Sequence, residues 1–235
     1  MRKTLSTIIS IALLTATLAL SGCASAKSQV GADDNTIVST QAGKIRGSVT
    51  QSGVLSFKGV PYAEASKRFV PAKPVAKWEG VRDATEYGKI SPQMEFMSTN
   101  MVSDEISDNN CQNLNIWTPA SDKKKRAVMV WLHGGGFSSG NAQETPAYDG
   151  ENLAQAGDVV VVSVNHRLNI LGFFDLSKYG EKYRYSGNAG VQDIIDSLTW
   201  MNHSRQYRRN SESAFCTPSY SRRSSACKGC KRFRN

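Results

Sequence analysis

The chain of 235 residues has only three histidines and only one long apolar run, and these absences exclude several classes of protein. The single run, near the amino terminus, is shorter than the roughly 20 apolar residues of a spanning helix, so the chain is not a polytopic membrane protein. The composition is 40% hydrophobic and 21% charged, which excludes a collagen-like or wholly disordered chain.

The last part of the chain also lacks a class of residue. Residues 202–235 contain no Leu, Ile, Val or Met, yet they hold nine of the 29 basic residues and one of the 20 acidic ones. A segment without aliphatic side chains cannot bury enough surface to offset its ordering entropy, so residues 204–235 are predicted to form a disordered tail. Because the net charge of +9 lies almost entirely there, it says little about the globular part.

The basic and cysteine-rich composition of this tail has three possible meanings. Its basic pairs, such as Arg208-Arg209, could contact nucleic acid, but no nucleic-acid partner is expected. Its cysteines, together with His203, do not have zinc-finger spacing, so no metal site is predicted. A shifted reading frame produces the same abrupt change in composition, and we favour this interpretation.

The residues at the amino terminus have the pattern of an export signal. Met1-Arg2-Lys3 is basic, and the 13 residues Ile8–Leu20 form a short apolar region. Leu20-Ser21-Gly22-Cys23 follows and resembles the bacterial lipoprotein box, which implies cleavage after residue 22 and acylation of Cys23. The alternative is a plain signal peptide that is cut near Ala26. Residues 23–36 would serve as a tether, and the absence of Asp after Cys23 favours the outer membrane.

The body of the chain, residues 37–203, alternates strand-like and helix-like patterns. Such alternation predicts an α/β fold with a parallel sheet. The apolar run 127–132 is predicted to be a strand covered on both faces. The other predicted strands are 36–39, 44–49, 54–58, 114–117 and 159–164, and the predicted helices are 149–156, stopped by Gly157, and 188–201, with Val191, Ile194, Ile195, Leu198 and Met201 on one face.

Six motifs in this body occur in a characteristic order. They are Phe57-Lys-Gly-Val-Pro-Tyr-Ala63, Arg68-Phe69-x-Pro71, Asn113-Leu-Asn-Ile-Trp-x-Pro119, His133-Gly-Gly-Gly-Phe137, Val164-Asn-His-Arg-Leu-Asn-x-x-Gly172-Phe173 and Ser186-Gly-Asn-Ala-Gly190-x-x-Asp193. Together they resemble the amino-terminal part of the type-B carboxylesterases, which include para-nitrobenzyl esterases and cholinesterases. The resemblance implies an α/β-hydrolase fold, present here as the small amino-terminal sheet and the first strands and helices of the central sheet.

The chain departs from this family pattern near one cysteine. Asn109-Asn110 stand where the family usually has Glu-Asp, and Gln112 replaces a Leu. Ser91 stands where many members have a Cys, so Cys111 lacks its usual disulfide partner and is predicted to be a small buried side chain.

The resemblance also implies a chemistry, the hydrolysis of a small carboxylic ester without cofactor or metal. Such an enzyme uses a serine nucleophile, a histidine base, an acid and an oxyanion hole. Glycines without Cβ atoms can turn sharply and present backbone N–H groups to an oxyanion. By resemblance, Gly135 and Gly136 are the two donors from this loop.

The nucleophile is the missing element. The only Gly-x-Ser-x-Gly match places Ser138 in a loop, because the preceding strand ends near residue 132 and Pro146 soon follows where a helix should continue. By resemblance, the serine, acid and histidine would follow the helix at 188–201, where the tail begins. His133 and His166 are expected to be structural. A polypeptide of these residues is therefore expected to be inactive.

Three functional hypotheses follow. The first is a lipid-anchored carboxylesterase whose sequence is interrupted by a frameshift or misassembly, the second a non-catalytic fragment, and the third an interaction protein that uses the basic tail. The family's strand order also predicts that strand 127–132 lacks one neighbour, so the fragment is expected to be prone to aggregation.

Overall fold

The computed structural model describes residues 34–95, 103, 106–122 and 124–210. The predicted signal peptide (1–22), the lipidation site Cys23, nearly all of the tether (23–36) and the tail beyond residue 210 lie outside the described residues. Among the helices that the structure describes, none has the length and apolar character needed to cross a bilayer.

Ten strands and three α-helices form the described part. The strands are β1 (Ile37–Ser39), β2 (Lys44–Arg46), β3 (Ser48–Val49), β4 (Leu55–Pro61), β5 (Ala63–Glu64), β6 (Lys73–Pro74), β7 (Val81–Asp83), β8 (Asn113–Thr118), β9 (Val128–Leu132) and β10 (Val160–Val164). The helices are α1 (Glu151–Gly157), α2 (Asn169–Phe173) and α3 (Ala189–Asn210). Short 3₁₀ helices occupy Asp34–Thr36, Pro146–Tyr148, Ser177–Tyr179, Glu181–Tyr183 and Ser186–Asn188.

The main sheet has five strands in the order β3-β4-β8-β10-β9. Only β9 and β10 are parallel, and the other pairs are antiparallel, so the sheet is mixed rather than parallel as predicted. The parallel pair requires a crossover, which α1 provides. A smaller sheet, β1-β2-β7, and the pair β5-β6 complete the strands.

Apolar side chains pack on both faces of the main sheet, because alternate residues of a strand point to opposite faces. On one face, Phe57, Leu114, Val162 and Val164 form a core with Trp200 of α3. On the other face, Trp117 and Val161 pack with Ala154 of α1. The sheet therefore lies between helices, as the α/β prediction requires.

Strand β9 is not covered on both faces, so that prediction was wrong. Its residues Met129, Val130, Trp131 and Leu132 are between 37% and 46% exposed. Among the described residues β9 pairs only with β10, and it is the last strand of the sheet. Its position at an edge agrees with the expectation from the family's strand order.

Helix α3 also differs from its prediction. Its buried residues are Ala189, Gly190, Asp193, Ser197 and Trp200. Val191, Ile195 and Leu198 of the predicted apolar face are exposed. The helix continues to Asn210 instead of ending at Met201, and so includes residues 204–210 of the predicted tail. No Gly or Pro interrupts residues 202–210, and extending a formed helix costs much less than starting one.

The open edge of β9 generates a prediction about association. A polypeptide of residues 24–235 should form large species that bind a hydrophobic dye, because an uncovered apolar strand pairs readily with other chains. Val130→Lys should shift the population toward monomer, since a charge on an edge strand opposes pairing. Light scattering across a concentration series measures the change.

Val49→Lys is the matched control for this experiment, because Val49 is 54% exposed on β3 at the opposite end of the sheet. It should leave the size distribution unchanged. A monomeric parent chain that unfolds cooperatively and binds no dye would contradict the prediction.

Candidate active site

The candidate site lies where β9 and β10 end. The two strands are in register from Val128 opposite Val160 to Leu132 opposite Val164, so both end at the same level of the sheet. The glycine-rich segment that begins at His133 and the segment that begins at Asn165 therefore start side by side.

The glycine-rich segment, residues 133–140, forms a tight loop. The N–H groups of Ser138 and Ser139 both donate to the Gly135 carbonyl, at 3.0 and 3.2 Å. Gly135 and Gly136 have φ of +107° and +60°, values that side-chain-bearing residues rarely adopt. A Cβ on Gly135 would overlap the Ser139 carbonyl oxygen, whereas a Cβ on Gly136 would meet no atom within 4 Å. Of these two glycines, only Gly135 is therefore required by packing as well as by φ.

Side chains from distant segments hold this loop. The amide of Gln93 accepts from the Gly140 N–H at 2.7 Å and donates to the Gly140 carbonyl at 3.0 Å. The backbone N–H of Asn169 donates to the Phe137 carbonyl at 2.7 Å, and the Asn169 side chain donates to the Pro92 carbonyl at 2.8 Å. The loop is thus attached both to residues 91–93 and to the segment after β10.

Two backbone donors in the loop remain available. Within the part of the chain that the structure describes, the N–H groups of Gly135 and Gly136 donate to no other group. Both residues are exposed. N–H groups held on a fixed backbone can donate to a carbonyl oxygen or an anion without first being reoriented.

The possible nucleophile and bases are not arranged as a triad. The Ser138 hydroxyl donates to the Gly136 carbonyl at 3.4 Å. None of the histidines in the described part of the chain forms a hydrogen bond with this hydroxyl. The strand before Ser138 ends at Leu132, and no helix follows the serine directly, as the sequence predicts. His203 is exposed on α3, far along the chain from the loop.

The two remaining histidines contact each other, which no pattern in the sequence predicts. The rings of His133 and His166 stack with their centroids 5.2 Å apart and an interplanar angle of 15°. Their contact joins the loop to the segment after β10. The described residues hold no group of three or more His, Cys, Asp or Glu that could bind a metal ion.

Behind the site, Arg167 and Asp193 form a fully buried ion pair. The guanidinium donates to both carboxylate oxygens of Asp193, at 2.8 and 2.7 Å, and the Arg167 N–H donates to one of them at 3.0 Å. Gln112, which replaces the Leu of the family pattern, donates to the same carboxylate at 3.1 Å. The sequence does not predict this contact. Burial opposes the charge of Arg167, but the hydrogen bonds and charge of Asp193 outweigh it and raise the pKa of the guanidinium.

The environment of this ion pair keeps its neighbours neutral. Burial, and next the charge of Asp193, raise the pKa of Tyr62 and of Cys111. Cys111 is a free, buried thiol, which confirms the prediction for that residue. The buried Ser91, which stands where a disulfide partner was expected, accepts from the Leu168 N–H at 3.1 Å instead. The hydroxyl thereby connects residues 91–93 to the segment after β10.

Comparisons with known proteins point to one family. The family model described as "Carboxylesterase family" matches residues 34–204. Para-nitrobenzyl esterase of Bacillus subtilis is 41% identical over 169 residues, which are 70% of this chain and 34% of that protein. Phenmedipham hydrolase of Pseudarthrobacter oxydans is 37% identical over 172 residues, 70% of this chain and 33% of that protein.

Solved structures agree with the sequence matches. A carboxylesterase of Geobacillus stearothermophilus has a TM-score of 0.65 and 41% identity, covering 72% of this chain and 34% of that one. An esterase of Clostridium hathewayi that can hydrolyze aliphatic aromatic polyesters has a TM-score of 0.66 and 43% identity, covering 73% and 35%. The chain spans about a third of the length of the curated relatives it matches.

The buried ion pair generates a prediction about stability. Asp193→Asn should destabilise the described part by about 3–5 kcal/mol, because it leaves the Arg167 charge buried without its partner. Asp196→Asn, three residues along α3 and only half-buried, should cost less than about 1 kcal/mol. Pulse proteolysis of dilute samples across a urea series gives both values. Equal losses for the two variants would contradict the role assigned to the ion pair.

Proposed function

The chain belongs to the carboxylesterase family and has part of its α/β-hydrolase fold, and from this premise we propose that it forms the amino-terminal part of a serine ester hydrolase. In this proposal the N–H groups of Gly135 and Gly136 form part of the oxyanion hole. The substrate class is a carboxylic ester of a small molecule, and the reaction requires no cofactor or metal.

The observation that carries the proposal is the pair of open N–H groups in a loop that is held at Phe137 and at Gly140. When a nucleophile attacks an ester, the carbonyl oxygen acquires negative charge, and donors already in place stabilise that charge. The contacts of Gln93 and Asn169 hold the loop before substrate arrives. Removing one such donor costs roughly 3–4 kcal/mol of transition-state stabilisation.

The proposed reaction needs three further groups: a serine nucleophile, a histidine that takes its proton, and an acid that orients the histidine. The described residues do not bring such a set together around Ser138. We therefore assign the reaction to a polypeptide that carries these groups in addition to residues 37–203. The role proposed for the present residues is to bind the carbonyl oxygen of the ester.

Export and lipid anchoring are a separate proposal. It rests on the basic residues Arg2 and Lys3, the 13-residue apolar run and the Leu-Ser-Gly-Cys box. Cleavage before Cys23 and acylation of its thiol and amino group would anchor the enzyme after export across the inner membrane, in the outer membrane facing the periplasm or at the cell surface. Several acyl chains give stable attachment where one chain is marginal.

The enzymatic proposal is tested in two stages. A polypeptide of the 235 residues should hydrolyse para-nitrophenyl acetate no faster than the uncatalysed background, and Ser138→Ala should change nothing. Resequencing the gene across codon 203 should then reveal a frame that encodes Phe-Gly-Gly-x-Pro followed by a Gly-x-Ser-x-Gly motif. The protein from that frame should hydrolyse the ester.

In that active protein, Gly135→Ala should lower kcat/KM by roughly 100- to 1000-fold, because the methyl group meets the Ser139 carbonyl and displaces the donor. Gly134→Ala is the matched control and should lower it much less, since a Cβ on Gly134 meets no atom within 4 Å and its φ is not in the left-handed range. If no frame encodes these segments, or if Gly135→Ala hydrolyses the ester as fast as its parent, the proposal fails.

The anchoring proposal predicts that Cys23→Ala releases the protein from membranes into the detergent-poor phase of a Triton X-114 separation, because the variant has no thiol to acylate. Ser21→Ala, which retains the cysteine, serves as the control and should stay with the detergent. A Cys23→Ala variant that partitions like its parent would exclude lipidation at this residue.

A further inference from the structure

The stacked imidazoles of His133 and His166 connect two parts of the candidate site. His133 is the residue directly before the three glycines, and His166 is buried in the segment after β10. Their rings lie 5.2 Å apart and nearly parallel. Any change that separates the rings therefore acts on a residue two positions before the first proposed oxyanion donor, Gly135.

The hydrogen bonds of the two histidines indicate which nitrogen of each ring carries the proton. Nδ1 of His133 lies 2.8 Å from the Gly134 carbonyl oxygen, and Nδ1 of His166 lies 3.0 Å from the Arg167 carbonyl oxygen. A carbonyl oxygen only accepts, so each Nδ1 carries the hydrogen and Nε2 carries none in the neutral ring. Nε2 of His133 is buried and has no hydrogen-bond partner among the described residues. A second proton there would form a buried N–H without an acceptor.

The loop closely surrounds the His133 ring. A Cβ on Gly140 would lie 2.8 Å from Nδ1 of His133, so the end of the loop packs against this ring. The ring of Phe137, in the middle of the loop, lies 6.0 Å from that of His166. A displaced His133 ring would thus disturb Gly134 and Gly140, which precede and follow the two donors.

Few charged groups face the pair from the elements around it. Glu144, in the segment after the loop, acts on His133, and Asp193 of α3 acts on His166. The Asp193 carboxylate is already bound by Arg167. Burial lowers the pKa of His133 and of His166, and the proximity of His133 lowers that of His166 further. The surroundings therefore favour two neutral rings.

We propose that His133 and His166 are positioning residues that hold the oxyanion loop in its observed conformation only while both rings are neutral, so that acid releases the loop. The functional meaning of that release rests on the proposed ester hydrolysis. The coupling between the two rings and the loop can be measured without it.

The pH range follows from the direction of the shifts. Both pKa values are lower in the folded chain than in the unfolded chain, where an imidazole titrates near pH 6.5. The ordering of the loop is fully present above about pH 6.5 and is lost progressively as the pH falls below it toward the folded pKa.

Hydrogen exchange of the loop amides, measured by mass spectrometry at micromolar concentration, tests the proposal. The parent and every variant are 235-residue chains that carry Val130→Lys, because association through β9 would also protect amides. The reporters are four backbone N–H groups. Those of Ser138 and Ser139 donate within the loop, that of Asn169 donates to the loop, and that of Gly140 donates from the loop to Gln93. After correction for intrinsic rates, their protection should fall by clearly more than about twofold between about pH 8 and about pH 5, the range in which imidazoles titrate. Peptides from β10 and α3 should stay protected over the same range.

Variants that cannot titrate separate the histidine pair from other effects. The double variant His133→Asn/His166→Asn keeps an amide N–H near each Nδ1 position, and its loop protection should change less than about twofold over the same range. His203→Asn removes the exposed third histidine and should behave like the parent. The double variant could lose loop order already at about pH 8 while β10 and α3 remain protected. In that case the single variant His166→Asn is measured instead, and its loop protection must fall less with pH than that of the parent.

Two results would overturn the proposal. One is a parent chain whose loop protection is constant from about pH 8 to about pH 5. The other is a folded variant without the titrating pair whose loop protection falls as much as that of the parent. Because the measurement involves no ester, a failure of ester hydrolysis in the reading-frame experiment leaves this result unaffected, and a failure here leaves the proposed reaction standing.

Discussion

The ion pair between Arg167 and Asp193 joins the sheet, the long helix and the candidate site. Arg167 follows β10 after two residues, and Asp193 lies in the first turns of α3. The guanidinium also donates to the Val70 carbonyl at 2.7 Å and to the Ala189 carbonyl at 3.4 Å, so one side chain fixes a distant loop and the start of the helix. Two charges at this depth are tolerated only because they pair with each other and form further hydrogen bonds.

The ion pair also determines which face of α3 is buried. Asp193 must point inward, and the apolar Val191 and Ile195 then point outward.

The loop with the open N–H groups depends on the same region. Its neighbours Asn165, His166 and Asn169 belong to the segment that Arg167 holds in place. The Asn165 side chain accepts from the Ala142 N–H at 2.8 Å, and its carbonyl accepts from the Tyr62 hydroxyl at 2.7 Å. Because β9 and β10 end level, a segment anchored after β10 can hold the loop after β9 from the side. The positions of the two donors are thus determined by contacts within the described part of the chain.

The sequence predicts those features that have a local pattern. The β-branched run of β10 is located to within one residue, and the glycine loop is placed after a strand because three glycines follow an apolar run. Strands β5, β6 and β7, of two or three residues each, and the five-residue helix α2 are too short to show a period, so the sequence does not reveal them. The prediction for β9 was wrong because the cover of a strand depends on neighbours that its own residues do not specify. For the same reason no pattern indicates the Gln93 contact with Gly140 or the His133–His166 stack, which join residues 47 and 33 positions apart.

The glycine-rich loop is held by hydrogen bonds, whereas apolar surface on β9 and α3 is left uncovered. Among the described residues, buried polar contacts hold the loop in which the N–H groups of Gly135 and Gly136 remain open. Apolar surface, in contrast, remains uncovered on β9 and along Val191, Ile195 and Leu198 of α3. One side of β9 pairs with β10, and its other side is open among the described residues. In the proposed hydrolase, further chain that pairs with this open edge would lie beside the glycine-rich loop that follows β9. A serine at the end of such a strand would stand next to the two N–H groups that the proposal assigns to the oxyanion hole.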